Sequence, residues 1–369
     1  MTHEFAASNG IYLLHHSVGR PWADAASHFQ QRFFAPWADG AGDPWGEWIT
    51  VFDDFRAALA QLLNSAPQQF CAQTNLSSAF GKILQALPID PKRGVILLSE
   101  SDFPSMGFVA QQAQRMGYRL RFLPATLDQS EAQVWLDAMR EDVQWLLLTQ
   151  VQSNTGIQVP LAPVLAAARA RGILSVVDAA QGVGILPIDL QALQPDFFLA
   201  SCVKWLCSGP GAGFLWAHAD ILPRCQPADV GWFSHANPFA FDIHDFAYHP
   251  DARRFWGGTP SVAPFVLAAH SIRRLHAVGV AQIRAYNLAQ SRRIIEALPP
   301  GCLVSPAEDA RRSGTLIVHY GARQQALVQA LQAAQIRCDS RAFGVRLSTH
   351  ISNPPEEIDQ LLQVLQTLA

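Results

Sequence analysis

The six cysteines of the chain, Cys71, Cys202, Cys207, Cys225, Cys302 and Cys338, lie scattered, and no two form a CxxC pair. That spacing excludes a disulfide framework and carries no signature of a zinc module, so no metal is expected. Charge is equally spare. Only 15% of residues are charged and the net charge is -3, which leaves no electrostatic basis for nucleic acid or an anionic membrane surface as partner. The basic pairs Arg292-Arg293 and Arg311-Arg312 are read as solvated helix or loop positions, because a nucleic-acid footprint needs a clustered basic face. No uncharged apolar run reaches the roughly 18 residues of a membrane span. The opening Met1-Thr2-His3-Glu4 lacks a basic segment leading into an apolar run, so no leader is expected and the expected compartment is the cytoplasm. Internal repeats and low-complexity linkers are missing too.

What is present is material for a packed interior, with 49% of the residues apolar. A chain of 369 residues is too long for one ordinary core, which predicts a large and a small domain. Between residues 94 and 217, short runs apolar on both faces recur at Val95–Ser99, Leu120–Leu123, Trp145–Thr149, Leu174–Val177, Phe197–Ala200 and Phe214–Trp216. Such runs fit strands buried in a sheet. Leu161–Ala170, rich in Ala and Leu after Pro160, reads as a helix between two of them. Alternating strands and helices predict an α/β fold with a mainly parallel sheet covered on both faces. A second pattern follows residue 280: helix Ala281–Leu298, strand Thr315–His319, helix Arg323–Ala334, strand Val345–Ser348 and helix Glu356–Leu368. The division expected is an N-terminal segment, 1–50, to which no regular structure is assigned; a large domain, 51–280; and a small α+β C-terminal domain, 281–369.

Three features of the large domain converge on one chemistry. Asp178 ends the apolar run Val176-Val177, where α/β sheets bind ligands beyond the carboxyl ends of strands. Lys204 follows Ser201-Cys202-Val203 directly after another strand and can reach the same crevice. Thr74-Asn75-Leu76-Ser77-Ser78 opens a helical run, whose free N–H groups and positive dipole end suit a phosphate. Pyridoxal phosphate (PLP) needs all three: a lysine for the Schiff base and proton shuttling, an acid against the pyridine nitrogen, and a phosphate cup. Each alone is a weak sign, since a strand-ending Asp is commonly a cap and a lone Lys is commonly solvated. The glycines of Ser208-Gly209-Pro210-Gly211-Ala212-Gly213 precede a strand and so do not form a nucleotide motif.

The order of Asp178, Gln181, Ser201 and Lys204, then a Gly/Pro loop and a strand, resembles the class V branch of fold-type I PLP enzymes, and within it the kynureninases. The resemblance spans nearly the whole chain, from Ser17-Val18-Gly19-Arg20-Pro21 to the tail from Asn353 to Asp359. It implies that Phe103, in Phe103-Pro104-Ser105, stacks on the cofactor ring, and that Gln181 contacts the ring hydroxyl. Trp232 and His235 of Gly231-Trp232-Phe233-Ser234-His235, with Thr259 of Gly258-Thr259-Pro260, would serve a site shared across a homodimer. Trp232 and Thr259 would serve the cofactor there and His235 the substrate. Arg346, after Cys338-Asp339-Ser340-Arg341, would grip the substrate carboxylate with its planar fork.

Three positions depart from the kynureninase pattern. Val203 stands in place of a Tyr, Met106 in place of an Asp, and Gln181 in place of a His. A phenol before the lysine would contact phosphate and donate a proton during carbon–carbon cleavage, and Val203 can do neither. Cys338 lacks the long mobile loop of a desulfurase nucleophile and is read as structural. The expected activity is therefore a PLP enzyme on an amino acid, kynureninase-like, cleaving the β,γ C–C bond of kynurenine-type substrates hydrolytically. The alternatives are a class V aminotransferase or another PLP lyase, and a non-catalytic PLP-binding homologue.

Overall fold

A computed structural model describes residues 4–368. Met1, Thr2 and His3, where the reading for a leader begins, lie outside the described residues. The strands in chain order are β1 (Ile11–Tyr12), β2 (Phe70–Gln73), β3 (Val95–Ser99), β4 (Arg119–Leu123), β5 (Val143–Thr149) and β6 (Leu174–Asp178). Then come β7 (Phe197–Ser201), β8 (Gly213–Ala217), β9 (Thr315–Val318), β10 (Ile336–Arg337), β11 (Asp339–Arg341) and β12 (Gly344–Ser348). Seven of them form one sheet in the order β2-β8-β7-β6-β5-β3-β4. All its pairings are parallel except those of β8, which runs antiparallel to β2 and β7. The fold is α/β, as the alternating pattern predicts.

The apolar runs are apolar on both faces because each face meets its own core. Ile96, Leu98, Trp145, Leu147, Val176, Phe197 and Leu199 pack on one side against Phe80, Ile83, Met106 and Ala110 of helices Leu76–Gln85 and Pro104–Ala113. The intervening residues Val95, Leu97, Leu146, Leu148, Val177 and Phe198 pack on the other side. Their partners there are Phe52, Phe55 and Leu59 of helix Trp45–Leu62, and Val164 and Leu165 of helix Leu161–Ala170. Burying each large side chain contributes about 1.5–3 kcal/mol, so neither face can be exchanged for polar residues.

A third core joins distant parts of the chain. β11, β12 and β9 form an antiparallel sheet, and β1 pairs in parallel with β10. Ile11 and Leu13 thus share a core with Leu316, Val345, Leu347, Leu331 and Leu361. The N-terminal segment, given no regular structure from sequence, holds β1 and short helical pieces between Ala25 and Ala38. Arg312, read as solvated, is fully buried: Nη2 donates to Asp309 Oδ1 at 2.5 Å and Nη1 to the Ala307 carbonyl. Pairing with Asp309 and a backbone oxygen is what lets that charge leave water. None of the described helices is long and apolar enough to cross a membrane.

Candidate active site

β5, β6 and β7 run in parallel and end side by side on Thr149, Asp178 and Ser201. Beyond those ends lies a cavity of about 240 Å³ lined by Thr149, Asp178, Gln181, Ser201 and Lys204. Asn75, Leu76, Ser77 and Phe103 close its other walls. Eight of the expected site residues are therefore brought together at one place.

Each wall has a local cause. Asn75, in extended conformation, caps helix Leu76–Gln85 through Oδ1, which accepts from Ser78 N at 2.8 Å. The N–H groups of Leu76 and Ser77 belong to the first turn, have no partner within the helix and are free to receive an anion. The helix from Pro104 opens with proline, leaving Phe103 extended just before it. Lys204 sits in a tight turn, Cys207 N donating to its carbonyl at 2.9 Å. Gly19 N donates to the Val203 carbonyl at 2.7 Å, and a Cβ on Gly19 would stand 2.1 Å from Lys204 O. Only glycine lets the N-terminal segment buttress the lysine turn so closely.

Electrostatically, Asp178 and Lys204 are matched. Burial pushes the Asp178 carboxyl upward, while the Ala180 N–H at 2.9 Å and the Lys204 charge pull it back. Burial pushes the Lys204 ammonium below the usual lysine range, Asp178 opposes this, and Arg346 and Arg341 add to it. Among the described residues Lys204 Nζ has no ion-pair partner within 4.0 Å, and it stands 5.7 Å from the Phe103 ring centroid. An unpaired amine whose proton affinity burial lowers is suited to condensation with an aldehyde.

One of these eight is bonded away from the cavity, and the remaining expected residues lie outside it. Gln181 lines the cavity, yet its Nε2 donates to His16 O at 2.9 Å and its Oε1 accepts from Trp205 Nε1 at 3.1 Å. Arg346 is buried, bound to Asp339, with Nη1 3.3 Å from the carbonyl of Ser153, a cavity residue. Trp232, His235 and Thr259 stand outside this cavity within one chain. Trp232 Nε1 donates to Thr259 Oγ1 at 3.3 Å, and His235 Nε2 lies 3.0 Å from the Asp245 carbonyl, bracing its own loop. Cys338 is half-buried and its thiol is pushed up to about 12, chiefly by burial, the wrong direction for a nucleophile.

Sequence reasoning missed three groups here. Thr149 Oγ1 is buried on the cavity wall beside the Asp102 carboxyl. Asp102 lies beneath, its carboxyl pushed up to about 7 by burial. Arg341 has no carboxylate within 4.0 Å among the described residues, and its charge reaches Lys204. In sequence Asp102 and Arg341 are ordinary loop polar residues, and only their position reveals them.

The donor set suits PLP. It offers free helix N–H groups for phosphate, an aromatic face, a buried carboxylate and a lysine without an ion-pair partner. The sequence pattern of the family described as Aminotransferase class-V matches residues 21–361. A kynureninase of Deinococcus radiodurans is 29% identical over 294 residues, 78% of this chain and 70% of that protein. Isopenicillin N epimerase of Streptomyces clavuligerus is 27% identical over 344 residues, 85% of this chain and 83% of that protein. A solved structure of a C-DES mutant, with glycine covalently linked to the PLP cofactor, superposes with a TM-score of 0.87. It is 24% identical and covers 99% of each chain.

Proposed function

Because the chain belongs to the class V aminotransferase family and is a PLP-dependent enzyme acting on an amino acid, we propose that its reaction is kynureninase-like: hydrolysis of the β,γ C–C bond of a kynurenine-type substrate. The observation carrying the proposal is Lys204 Nζ, unpaired on the wall of the cavity that also presents Asp178 and the first turn of helix Leu76–Gln85. PLP, when bound, supplies the electron-withdrawing ring that lets a bond at the substrate Cα break. Leu76 and Ser77 would hold its phosphate through backbone N–H groups, Phe103 would lie against the ring, and Asp178 would keep a proton on the ring nitrogen. Thr149 Oγ1 would meet the polar edge of the ring, and Gln181 would contact it only through the second N–H of an amide already bonded to His16 O and Trp205 Nε1.

Lys204, with its lowered proton affinity, takes the proton from Cα and returns it. Arg346 orients the substrate carboxylate through the edge that Asp339 leaves free, with Arg341 adding positive charge at that end. A homodimer completes the site in this proposal. It is supported by the exposed apolar loop carrying Phe239, Phe241 (76% exposed), Ile243 (91% exposed) and Phe246, next to Trp232 and His235.

One observation favours a second reading, in which Lys204 performs all proton transfer at Cα, as in transamination, epimerisation or another lyase reaction. No phenol lines the cavity, and Val203 occupies the place where a kynureninase carries one. Product analysis with kynurenine and 3-hydroxykynurenine decides between them. Under the first reading wild type releases an anthranilate-type product, and Val203→Tyr raises the rate, on the scale of about 10²–10⁴-fold for a general acid. No cleavage by either form, with turnover of another amino acid, establishes the second. Stability and PLP content are measured alongside, since overpacking costs about 1–3 kcal/mol.

A further inference from the structure

Three parallel strand ends meet under the cavity. β3 and β6 flank β5, which ends on Thr149, and Thr149 is the register partner of Asp178 in β6. The chain leaves β3 at Ser99 in a tight turn. Asp102 N donates to Ser99 O at 3.2 Å, and Asp102 Oδ2 accepts from Ser99 N at 2.8 Å. That turn folds the carboxyl back over the strand end, just ahead of Phe103 and the helix that Pro104 opens. Asp102 as a whole is half-buried, but its Oδ1 is shut off from solvent.

The Thr149 hydroxyl lies beside this carboxyl. Neither Thr149 Oγ1 nor Asp102 Oδ1 has any other hydrogen-bond partner among the described residues. Two oxygens buried side by side need a proton between them, because facing lone pairs repel and buried polar atoms are nearly always satisfied. There are two ways to supply it. If Asp102 is neutral, its O–H donates to Thr149, and the Thr149 proton is free to turn to the cavity. If Asp102 is ionised, Thr149 donates to the carboxylate and offers the cavity only a lone pair.

We propose that Asp102 is a positioning residue that acts through Thr149: while it keeps its proton, it sets the Thr149 hydroxyl as a hydrogen-bond donor toward the bound cofactor. This rests on the PLP site proposed above, with Thr149 at the polar edge of the ring. The surroundings favour the neutral acid. Burial pushes the Asp102 carboxyl up to about 7, with the Asp178 charge adding to it and the Ser99 N–H and the Thr149 hydroxyl opposing. Lys204 draws Asp178 toward its ionised form, whereas no cation acts on Asp102. Two neighbouring carboxyls thus divide the work, one as anion and one as acid. A donor at the ring edge stabilises a negative oxygen there, and a lone pair repels it. Through this contact PLP is held more firmly while Asp102 is neutral than after it ionises.

The test starts from PLP-loaded wild type and Asp102→Asn and measures the dissociation constant of PLP on dilution, from about pH 5.5 to 8.5. The Asn amide donates to Thr149 at every pH, so it fixes the arrangement that neutral Asp102 gives. Comparing the two proteins at each pH cancels what Lys204 and the phosphate contribute to both. The proposal expects equal affinities at the acid end and a variant that binds about 10-fold more tightly at the alkaline end, the scale of one charged hydrogen bond. Thr149→Ser should keep the wild-type pH dependence relative to Asp102→Asn, and Thr149→Val should lose it. A ratio that stays flat across pH overturns the proposal. So does a full pH dependence in Thr149→Val, which would mean that the Asp102 charge acts through space. If the variants do not fold, the infrared spectrum of wild type decides: a protonated carboxyl band at about pH 6 fades by about pH 8, and its absence overturns the proposal. Failure of the PLP site itself reads differently, as no pyridoxyl group on Lys204 after reduction.

Discussion

Asp339 grips Arg346 along one edge of its guanidinium. Nε donates to Oδ1 at 2.7 Å and Nη2 donates to Oδ2, and the two residues are register partners across β11 and β12. His16 Nε2 lies 2.9 Å from the same carboxylate while its Nδ1 lies 2.6 Å from Ser348 Oγ. The bonds from His16 and Arg346 hold the Asp339 carboxyl far below the usual range despite burial. Arg346 is thus held in one orientation, which would limit the entropy lost if it binds a carboxylate.

Arg346→Lys should raise KM about 10–100-fold with a smaller change in kcat. An ammonium cannot reproduce the planar contact, and charged hydrogen bonds contribute about 1.5–3 kcal/mol. Asp339→Ala should raise KM less, because the guanidinium remains but loses its brace. Steady-state kinetics on the amino acid that is turned over checks both. An unchanged specificity constant in Arg346→Lys removes that residue from substrate binding.

Asp178→Asn should bind PLP and lose about 10²–10³-fold in kcat, the scale of a preorganised electrostatic partner. The amide keeps the shape and the hydrogen bond available from Ala180 N but not the charge that would hold a proton on the ring nitrogen. Measuring kcat beside PLP content separates this from cofactor loss. Unaltered turnover would mean that another group protonates the ring.

Asp102 gives a pH prediction. Its carboxyl ionises near 3.8 in the unfolded chain and near 7 in the fold, burial outweighing the Ser99 N–H that it accepts at 2.8 Å. Between those values the native state holds a proton that the unfolded state has released. Stability therefore falls as pH rises through that window, and levels off above it. Asp102→Asn should remove this contribution, so the variant gains relative to wild type from about pH 4 to 7. Urea unfolding of both proteins across that range checks it. Parallel curves would show that Asp102 titrates normally.

Much of this was legible in sequence where the cause is local. The runs at Val95–Ser99 and Leu161–Ala170 match their elements residue for residue, because burial on both faces and a proline start leave local marks. β2, Phe70–Gln73, went unread: four residues of Phe-Cys-Ala-Gln show no period, and only pairing with β8 makes them a strand. β1 has two residues and pairs with β10, more than three hundred positions away, so nothing near it in sequence marks it. Asp178 and Lys204 stood out because each directly follows an apolar run. The burial of Asp102 beside Thr149 and the hold of Asp339 on Arg346 are tertiary facts that loop polarity does not carry.

Covalent attachment of PLP to Lys204 is the central claim, and the chain makes its test unambiguous, since its only lysines are Lys82, Lys92 and Lys204. Lys82 is committed elsewhere, donating to the Phe255 and Trp256 carbonyls at 3.0 and 2.6 Å, and Lys92 is exposed. Borohydride reduction of the PLP-loaded enzyme, followed by peptide mass mapping, locates the pyridoxyl group. The account predicts it on the peptide carrying Lys204 alone, and its loss in a folded Lys204→Ala variant. A pyridoxyl mass on the Lys82 or Lys92 peptide, or none on any peptide of the PLP-loaded wild type, would contradict it.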